Sequence, residues 1–275
     1  MAKVRKERID HLLVERGLAE DTREAAKFLM AGIVVVDDHR VDKAGTMFPE
    51  TAIVRLKSHH IPYVSRGGLK LEKALHVFHL DFKDKVVIDI GASTGGFSDV
   101  SLQNGAGEVF AVDTGKGQLD PKVANDSRVT VLDATNFRTI KFETIGKKAD
   151  IFVADVSFIS LSMIIPSCIQ FAREGSECAF LIKPQFEAKP GEVDKGGIVN
   201  DRTVHERVIM EIAECGAAHG FYLHGLSASP IKGAKGNVEY LAYFVYNAHE
   251  DQAELKDTVR QVVYEEYSYY RQTSR

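Results

Sequence analysis

From Tyr63 onward, apolar residues fall into two alternating rhythms. Short unbroken runs, VVIDI, EVFAV, VTVL, DIFVA and CAFLI, are rich in β-branched and aromatic residues and end at Gly, Asp or Lys. Runs of that kind read as strands covered on both faces. FYLHGLSAS and VEYLAYFVY add two more, making seven. Between them lie helical stretches such as DRTVHERVIMEIAECG, whose Val204, Val208, Ile209 and Ile212 recur at helical spacing. Strands that alternate with helices predict an α/β domain with a doubly wound, mostly parallel seven-stranded sheet over residues 65–248. AELKDTVRQVVYEEYSYYRQ predicts a closing amphipathic helix within 249–275.

The opening residues, 1–60, carry a different pattern. Ile9, Leu12, Leu13 and Val14 mark a short helix that Gly17 stops. Thr22 reads as the cap of a second, TREAAKFLMAG, with Ala25, Ala26, Phe28 and Leu29 inward and Gly32 closing it. IVVVDDHRV gives a strand, a turn at Asp37–Asp38 and a return strand. Two helices and a hairpin form a small α+β module, too small to be an enzyme, joined to the larger domain by residues 61–64.

Composition narrows the classes. The net charge of −4 gives no global cationic field, so any nucleic-acid role rests on local patches. One such patch gathers Lys3, Arg5, Lys6 and Arg8, and Arg23 and Lys27 sit one helical turn apart on a shared face. Arg66 and Lys73 extend the basic positions into the larger domain. Any one of these side chains could equally be a solvated charge. No apolar run approaches the ~18 residues of a membrane span, and no secretory signal opens the chain. Cys168, Cys178 and Cys215 are odd in number and scattered, which predicts reduced thiols in a cytoplasmic protein and no metal site.

VVIDIGASTGGFSD has the strand, glycine turn and helix layout that cradles a nucleotide-like ligand. A phosphate-binding loop fails because Phe97 replaces the lysine that must reach the phosphates. A dinucleotide fingerprint fails because Ser93 occupies the second glycine position. S-adenosylmethionine carries no phosphate and needs room and a nearby carboxylate. Gly91, Gly95 and Gly96 supply the room, and Asp89 can hold the ammonium end. Asp113 ends the next strand, suited to ribose hydroxyls, and Asp133 ends the one after, near an adenine ring. The plain alternative is a tight turn with aspartates as helix caps.

Asp155 and Lys183 end the fourth and fifth strands, and in open α/β sheets ligands bind beyond the carboxyl ends of strands. Lys70 precedes the first strand and Glu239 begins the last; sequence spacing alone does not place either in the cleft. A lysine at a strand end is also a common solvated terminus, and Asp155 a common helix cap.

YVSRGGLKLEKAL, DIGASTGGFSD, VDTGKGQL, DVSFISL, LIKPQFEA, VDKGGIVND and SPIKGAKGNVEYL occur in this order. In these blocks the chain closely resembles the TlyA-type family, often labelled haemolysins but similar to FtsJ-like ribosomal RNA 2′-O-methyltransferases. The resemblance implies a Rossmann-like class I methyltransferase domain preceded by an alpha-L RNA-binding domain. It also implies S-adenosyl-L-methionine as cofactor, and ribosomal RNA or assembled ribosomal subunits as partner. The family's catalytic Lys, Asp, Lys and Glu fall on Lys70, Asp155, Lys183 and Glu239. Its cofactor loop falls on Gly91, Ala92, Ser93, Gly95 and Gly96, with Phe97 beside them. LDATNFR, Leu132 to Arg138, departs from an ERTN-like run of the family, which weakens the carry-over to Asp133.

On this resemblance Lys183 activates a ribose 2′-hydroxyl, Asp155 orients the amine, and Lys70 and Glu239 position the ribose. A lysine serves as base only once neutral. Two other functions compete: a membrane-lytic protein, as the haemolysin label suggests, and a non-catalytic RNA-binding assembly factor. The absence of any apolar span argues against the first, and the intact set of four against the second.

Overall fold

The computed structural model describes residues 5–30, 32–37, 39–56, 61–249 and 254–273. It divides into two compact units, residues 1–62 and 63–275. Lys3 and Asp38 lie outside the described residues.

In the small unit, strand β1 (Lys6–Arg8) leads into helix α1 (Ile9–Glu15), and helix α2 (Thr22–Met30) follows. Strands β2 (Val34–Val36), β3 (His39–Arg40), β4 (Met47–Pro49) and β5 (Val54–Leu56) complete it. β2 is the centre of an antiparallel sheet ordered β3-β2-β5, and β1 pairs with β4. Ile9, Leu12, Leu13, Ala25, Leu29, Val34 and Val36 form its core. The hairpin is thus part of a three-stranded sheet, because MFPETAIVRL contributes two strands that its polar interruptions conceal, β5 beside β2 and β4 beside β1. Thr22 is the first helical residue of α2 and not its cap. Asp21 takes that place, its Oδ1 accepting from the Glu24 backbone N–H at 2.7 Å.

The large unit begins with helix α3 (Gly68–Phe78), then β6 (Val86–Ile90), α4 (Gly96–Gln103), β7 (Glu108–Val112), α5 (Pro121–Ala124) and β8 (Val129–Leu132). α6 (Phe142–Ile145), β9 (Ala149–Ala154), α7 (Ile165–Cys168), β10 (Ala172–Ile182) and α8 (Pro184–Glu187) follow. The unit closes with α9 (Arg202–Ala218), β11 (Phe221–Ala228), β12 (Tyr240–Tyr246) and α10 (Leu255–Thr273). All seven strands of the sequence pattern form one sheet, ordered β11-β12-β10-β9-β6-β7-β8. The five strands from β10 to β8 run parallel, and β12 is antiparallel to both neighbours.

Both faces of the sheet are buried, which explains the unbroken apolar runs. Val87, Ile151, Val153, Ala179 and Leu181 point to one face, where Leu71 and Ala74 of α3 and Val100 of α4 cover them. Ile88, Phe152, Phe180 and Ile182 point to the other, under Ile209 and Ile212 of α9 and Val259 and Val263 of α10. The closing helix is therefore a layer of the large unit. Tyr63 packs on the first of these faces and the Val64 N–H donates to Asp99 Oδ2 at 2.9 Å, so the large unit starts within the expected linker.

Candidate active site

The strand order reverses between β6 and β9, and the carboxyl ends of β6, β7, β9 and β10 open on one edge of the sheet. Asp89 lies in β6, and Asp113, Asp155 and Lys183 each directly follow β7, β9 and β10. Because β12 runs antiparallel, its beginning reaches the same edge: Tyr240 is registered opposite Ile182. Glu239 is thereby carried to Lys183. Lys70 arrives from the first turn of α3, whose Leu71 and Ala74 anchor the helix on the sheet.

The four side chains form a row. Lys183 Nζ lies 2.6 Å from Asp155 Oδ1, and Lys70 Nζ lies 3.0 Å from Asp155 Oδ2 and 2.8 Å from Glu239 Oε2. Lys183 Nζ also donates to Ser157 Oγ at 2.8 Å, and Gln185 Nε2 to Glu239 Oε1 at 3.3 Å. Lys70, Lys183 and Glu239 are buried. Burial pushes the Asp155 carboxyl up, but the ammonium groups of Lys70 and Lys183 outweigh it and hold the group below the usual carboxylate range. Two cations and two carboxylates compensate one another inside a cleft of about 370 Å³.

Asp89 sits in the floor of that cleft. Its Oδ2 accepts from Ser98 Oγ at 2.6 Å, while its buried Oδ1 accepts no hydrogen bond among the described residues. Burial lifts this carboxyl to about 7, against the opposing Ser98 hydrogen bond. Gly91, Ala92, Ser93, Gly96 and Phe97 line the same cleft, although Phe97 is chiefly a core residue. Gly95 is the left-handed residue that turns the loop into α4. Gly91 is left-handed at φ +78°, and a Cβ there would meet Val156 Cγ1 at 3.0 Å. A Cβ on Gly96 would lie 3.0 Å from the Gly68 backbone nitrogen, so α3 and α4 approach this closely only around a glycine.

A second hollow of about 370 Å³ adjoins the first, sharing Gly91, Ser93, Asp155, Ser157 and Phe158. Asp113 lines it; its Oδ2 accepts from the Ser93 N–H at 2.8 Å and its Oδ1 from the Gly115 N–H at 2.6 Å. The hollow's other walls include Val112, Thr135, Asn136, Phe137, Val156 and Ile164. Asp133 is not among them. Its Oδ2 is occupied by the Gly117 N–H at 2.7 Å, and the chain beyond it, Thr135 to Phe137, forms the wall that sequence reasoning gave to Asp133.

These features fit S-adenosylmethionine. Two adjoining hollows, one setting Asp113 among Val112, Phe137 and Ile164 and one setting Asp89 beside the glycine loop, match a neutral nucleoside joined to a cationic amino-acid portion. An unpartnered buried carboxylate oxygen suits an ammonium group, and Asp89 and Asp113, which no cation pairs among the described residues, disfavour a phosphate.

Several lining residues carried no signal in the sequence. Phe158 is 90% exposed in a left-handed conformation at φ +62°, its ring centroid 5.0 Å from that of Phe186. Ser157 and Gln185 join it at the cleft. Beyond β10, Pro184 opens the single turn α8, with Lys183 at the N-cap position and its amine 5.7 Å from the Phe186 ring centroid.

The basic positions separate into groups. Arg66 is exposed and lines the cleft. Lys73 turns away from solvent and donates to the Ala228 carbonyl at 2.7 Å, which removes it from an exposed phosphate track. In the small unit Arg8 is held by Asp10 through two bonds of 3.1 and 2.7 Å, and Arg5 pairs with Glu50 at 3.1 Å. Lys6, Arg23 and Lys27 are exposed. Among the described residues no helix is long and apolar enough to cross a membrane.

Comparison with known proteins agrees with this geometry. Residues 63–246 match the model of the FtsJ-like methyltransferase family. A Bacillus subtilis protein named as a candidate rRNA methyltransferase, YqxC, is 48% identical over 87% of this chain and 85% of its own. The 16S/23S rRNA (cytidine-2′-O)-methyltransferase TlyA of Mycobacterium tuberculosis is 40% identical over 87% of this chain and 90% of its own. A solved structure from Streptococcus thermophilus, named as a candidate haemolysin, superposes with a TM-score of 0.75 at 39% identity, covering 98% of this chain and all of that one. The chain belongs to the FtsJ-like family of S-adenosylmethionine-dependent methyltransferases, in its TlyA-type branch.

Proposed function

We propose that this methyltransferase acts on the ribose 2′-hydroxyl of a cytidine in ribosomal RNA, with Lys183 taking the hydroxyl proton. The observation that carries the reading is the row Lys183, Asp155, Lys70 and Glu239 at the mouth shared with Asp89 and the glycine loop. The substrate class follows the relative from Mycobacterium tuberculosis, named for cytidine 2′-O-methylation of 16S and 23S rRNA.

S-adenosylmethionine, when bound, supplies an activated methyl group on a sulfonium. The chain's own residues do the rest. Asp89 Oδ1 binds the ammonium end and Asp113 the cofactor ribose. The target 2′-hydroxyl approaches Lys183, whose amine is aimed by Asp155 on one side and Ser157 on the other. The amine sheds its own proton before it can accept one. The four charged groups then sum to −1, in a cleft built to receive a cationic donor. Lys70, tied between Asp155 and Glu239, fixes both carboxylates and offers its remaining proton to the substrate ribose. Held alignment of this kind supplies much of such an enzyme's acceleration. Phe158 presents an exposed ring on which an unstacked base can lie.

The small unit reads as an alpha-L RNA-binding domain that grips rRNA phosphates through Lys6, Arg23 and Lys27. All four reacting-site groups meeting in one cleft favour catalysis over a binding-only role. The test is transfer of labelled methyl from S-adenosylmethionine to ribosomal subunits lacking the modification, followed by mapping. A mapped 2′-O-methylcytidine supports the reading; no transfer to either subunit by cofactor-bound protein overturns it.

A further inference from the structure

Gln185 lines the cleft beside the row of four without being one of its charged groups. Its amide has a determined orientation. Nε2 faces Glu239 Oε1 at 3.3 Å, and Glu239 Oε2 is held 2.8 Å from the Lys70 ammonium. The flipped amide would set its oxygen against a carboxylate oxygen, so the nitrogen belongs there. That leaves Oε1 as a buried acceptor with no hydrogen-bond donor among the described residues, on a side chain that lines the cleft, so a substrate reaches it only as the side chain shifts on binding. A buried carbonyl oxygen left without a donor is costly, and such atoms call for an explanation.

We propose that Gln185 Oε1 is a specificity-determining acceptor that receives an N–H from the target base, and so selects an amino-bearing base over its carbonyl counterpart. The inference rests on the 2′-O-methylation reading above. In an internal nucleotide the 3′- and 5′-oxygens are esterified, so the 2′-hydroxyl is the only donor of the ribose. That proton goes to the group that activates the oxygen. Every other donor of the target nucleotide is on the base edge. Gln185 adjoins Phe186, whose ring lies 5.0 Å from the exposed Phe158, so the base-stacking surface and the acceptor belong to one wall. Cytosine presents an exocyclic amine where uracil presents a carbonyl, and a carbonyl facing Oε1 puts two acceptors together. Sites built around a hydrogen-bonding partner reject the analogue lacking it far more strongly than apolar pockets reject a missing methylene.

The experiment compares methyl transfer to ribosomal subunits carrying cytidine at the mapped position with transfer to the same subunits carrying uridine there. Wild-type protein is expected to favour cytidine in kcat/KM by at least ~10-fold, the weight of one good polar contact. Gln185→Met keeps the side chain's length and removes the acceptor, and should bring the ratio to within about 3-fold of unity with cofactor affinity unchanged. Loss of the bond to Glu239 slows both substrates alike and cancels in that ratio. Gln185→Ala provides the same comparison should the Met variant fail to fold. An unchanged cytidine preference in a folded variant, no preference in the wild type, or a weakened cofactor affinity overturns the proposal. Absence of any transfer by wild-type protein would instead count against the underlying 2′-O-methylation reading.

Discussion

Lys183 and Asp155, the residues that end two neighbouring parallel strands, meet with Nζ 2.6 Å from Oδ1. Lys183 is buried and Asp155 partly buried at the cleft, and Ser157 completes the cradle of the amine. Among the described residues Lys183 makes its polar contacts with Asp155 and Ser157 and none with the glycine loop, so its loss should separate chemistry from cofactor binding. Lys183→Ala is expected to lower kcat by ~10²–10⁴, the usual worth of a positioned base, with the cofactor Kd within about 2-fold of wild type. Single-turnover transfer and calorimetric titration read the two quantities; retained turnover sinks the role of Lys183.

Asp155 serves two lysines at once, one per oxygen. Asp155→Asn leaves both ammonium groups close together with only Glu239 opposite Lys70. Breaking a buried pair from one side typically costs about 3–5 kcal/mol. Denaturant unfolding should show a loss of that order. The sign of the pH effect follows from the lowered Asp155 pKa, set by the two lysines against the opposing effect of burial. The group stabilises the fold above the unfolded carboxylate range, and that stability is lost as pH falls through the folded value. The asparagine variant should lose this acid-side slope.

Asp89 behaves in the opposite sense, because burial raises its carboxyl to about 7 from 3.8. Between those values the folded state holds a proton that the unfolded state has released, so this group's contribution to stability falls as pH rises through the window. An ammonium ligand needs the charged form. Affinity for S-adenosylmethionine is therefore expected to rise as pH increases through about 7, with a proton released on binding, until an α-amino group near ~7.8 itself titrates. Asp89→Asn should bind weakly and with a flat profile. A wild-type affinity that falls across the same range contradicts the assignment.

Lys183 and Asp155 were legible as site residues because the parallel-sheet rule sends both strand ends to one edge. Glu239 and Lys70 were not placeable by that rule. Glu239 reaches the edge only because β12 runs antiparallel, which no periodicity reveals, and Lys70 only because Leu71 and Ala74 seat α3 on the sheet. The family blocks supplied both. Asp133 shows the opposite case: it has the right strand end, but it lines neither hollow, its Oδ2 accepting from the Gly117 N–H, and the wall passes to Thr135, Asn136 and Phe137. Phe158 reads in sequence as one more apolar residue, and only its left-handed backbone turns the ring outward. Gln185 had no signal beyond its place after Lys183, since an unpartnered oxygen is a property of packing.

Gly91 tests how tightly the cofactor loop is made. Its φ of +78° disfavours any side chain, and an added Cβ would stand 3.0 Å from Val156 Cγ1 and 3.4 Å from Val156 Cα. Gly91→Ala is expected to cost about 1–2 kcal/mol from the left-handed backbone alone. Val156 also lines the hollow that Asp113 faces, so its displacement should weaken cofactor binding as well as stability. Thermal unfolding with and without S-adenosylmethionine separates the two effects, and a ligand-induced shift equal to that of the wild type would refute the second.

Arg23 and Lys27 are both exposed on one face of α2 and, among the described residues, lack the pairing that holds Arg5 to Glu50 and Arg8 to Asp10. If that face meets rRNA phosphates, each cation releases roughly one condensed counterion on binding. The double variant Arg23→Glu/Lys27→Glu should weaken subunit binding and reduce the slope of log affinity against log salt by about 2, one for each lost contact. Cofactor affinity should not move, because Asp89, Asp113 and the glycine loop all lie in the other unit. A slope unchanged from wild type would assign the RNA grip to other residues, with Lys6 and Arg66 the next to replace.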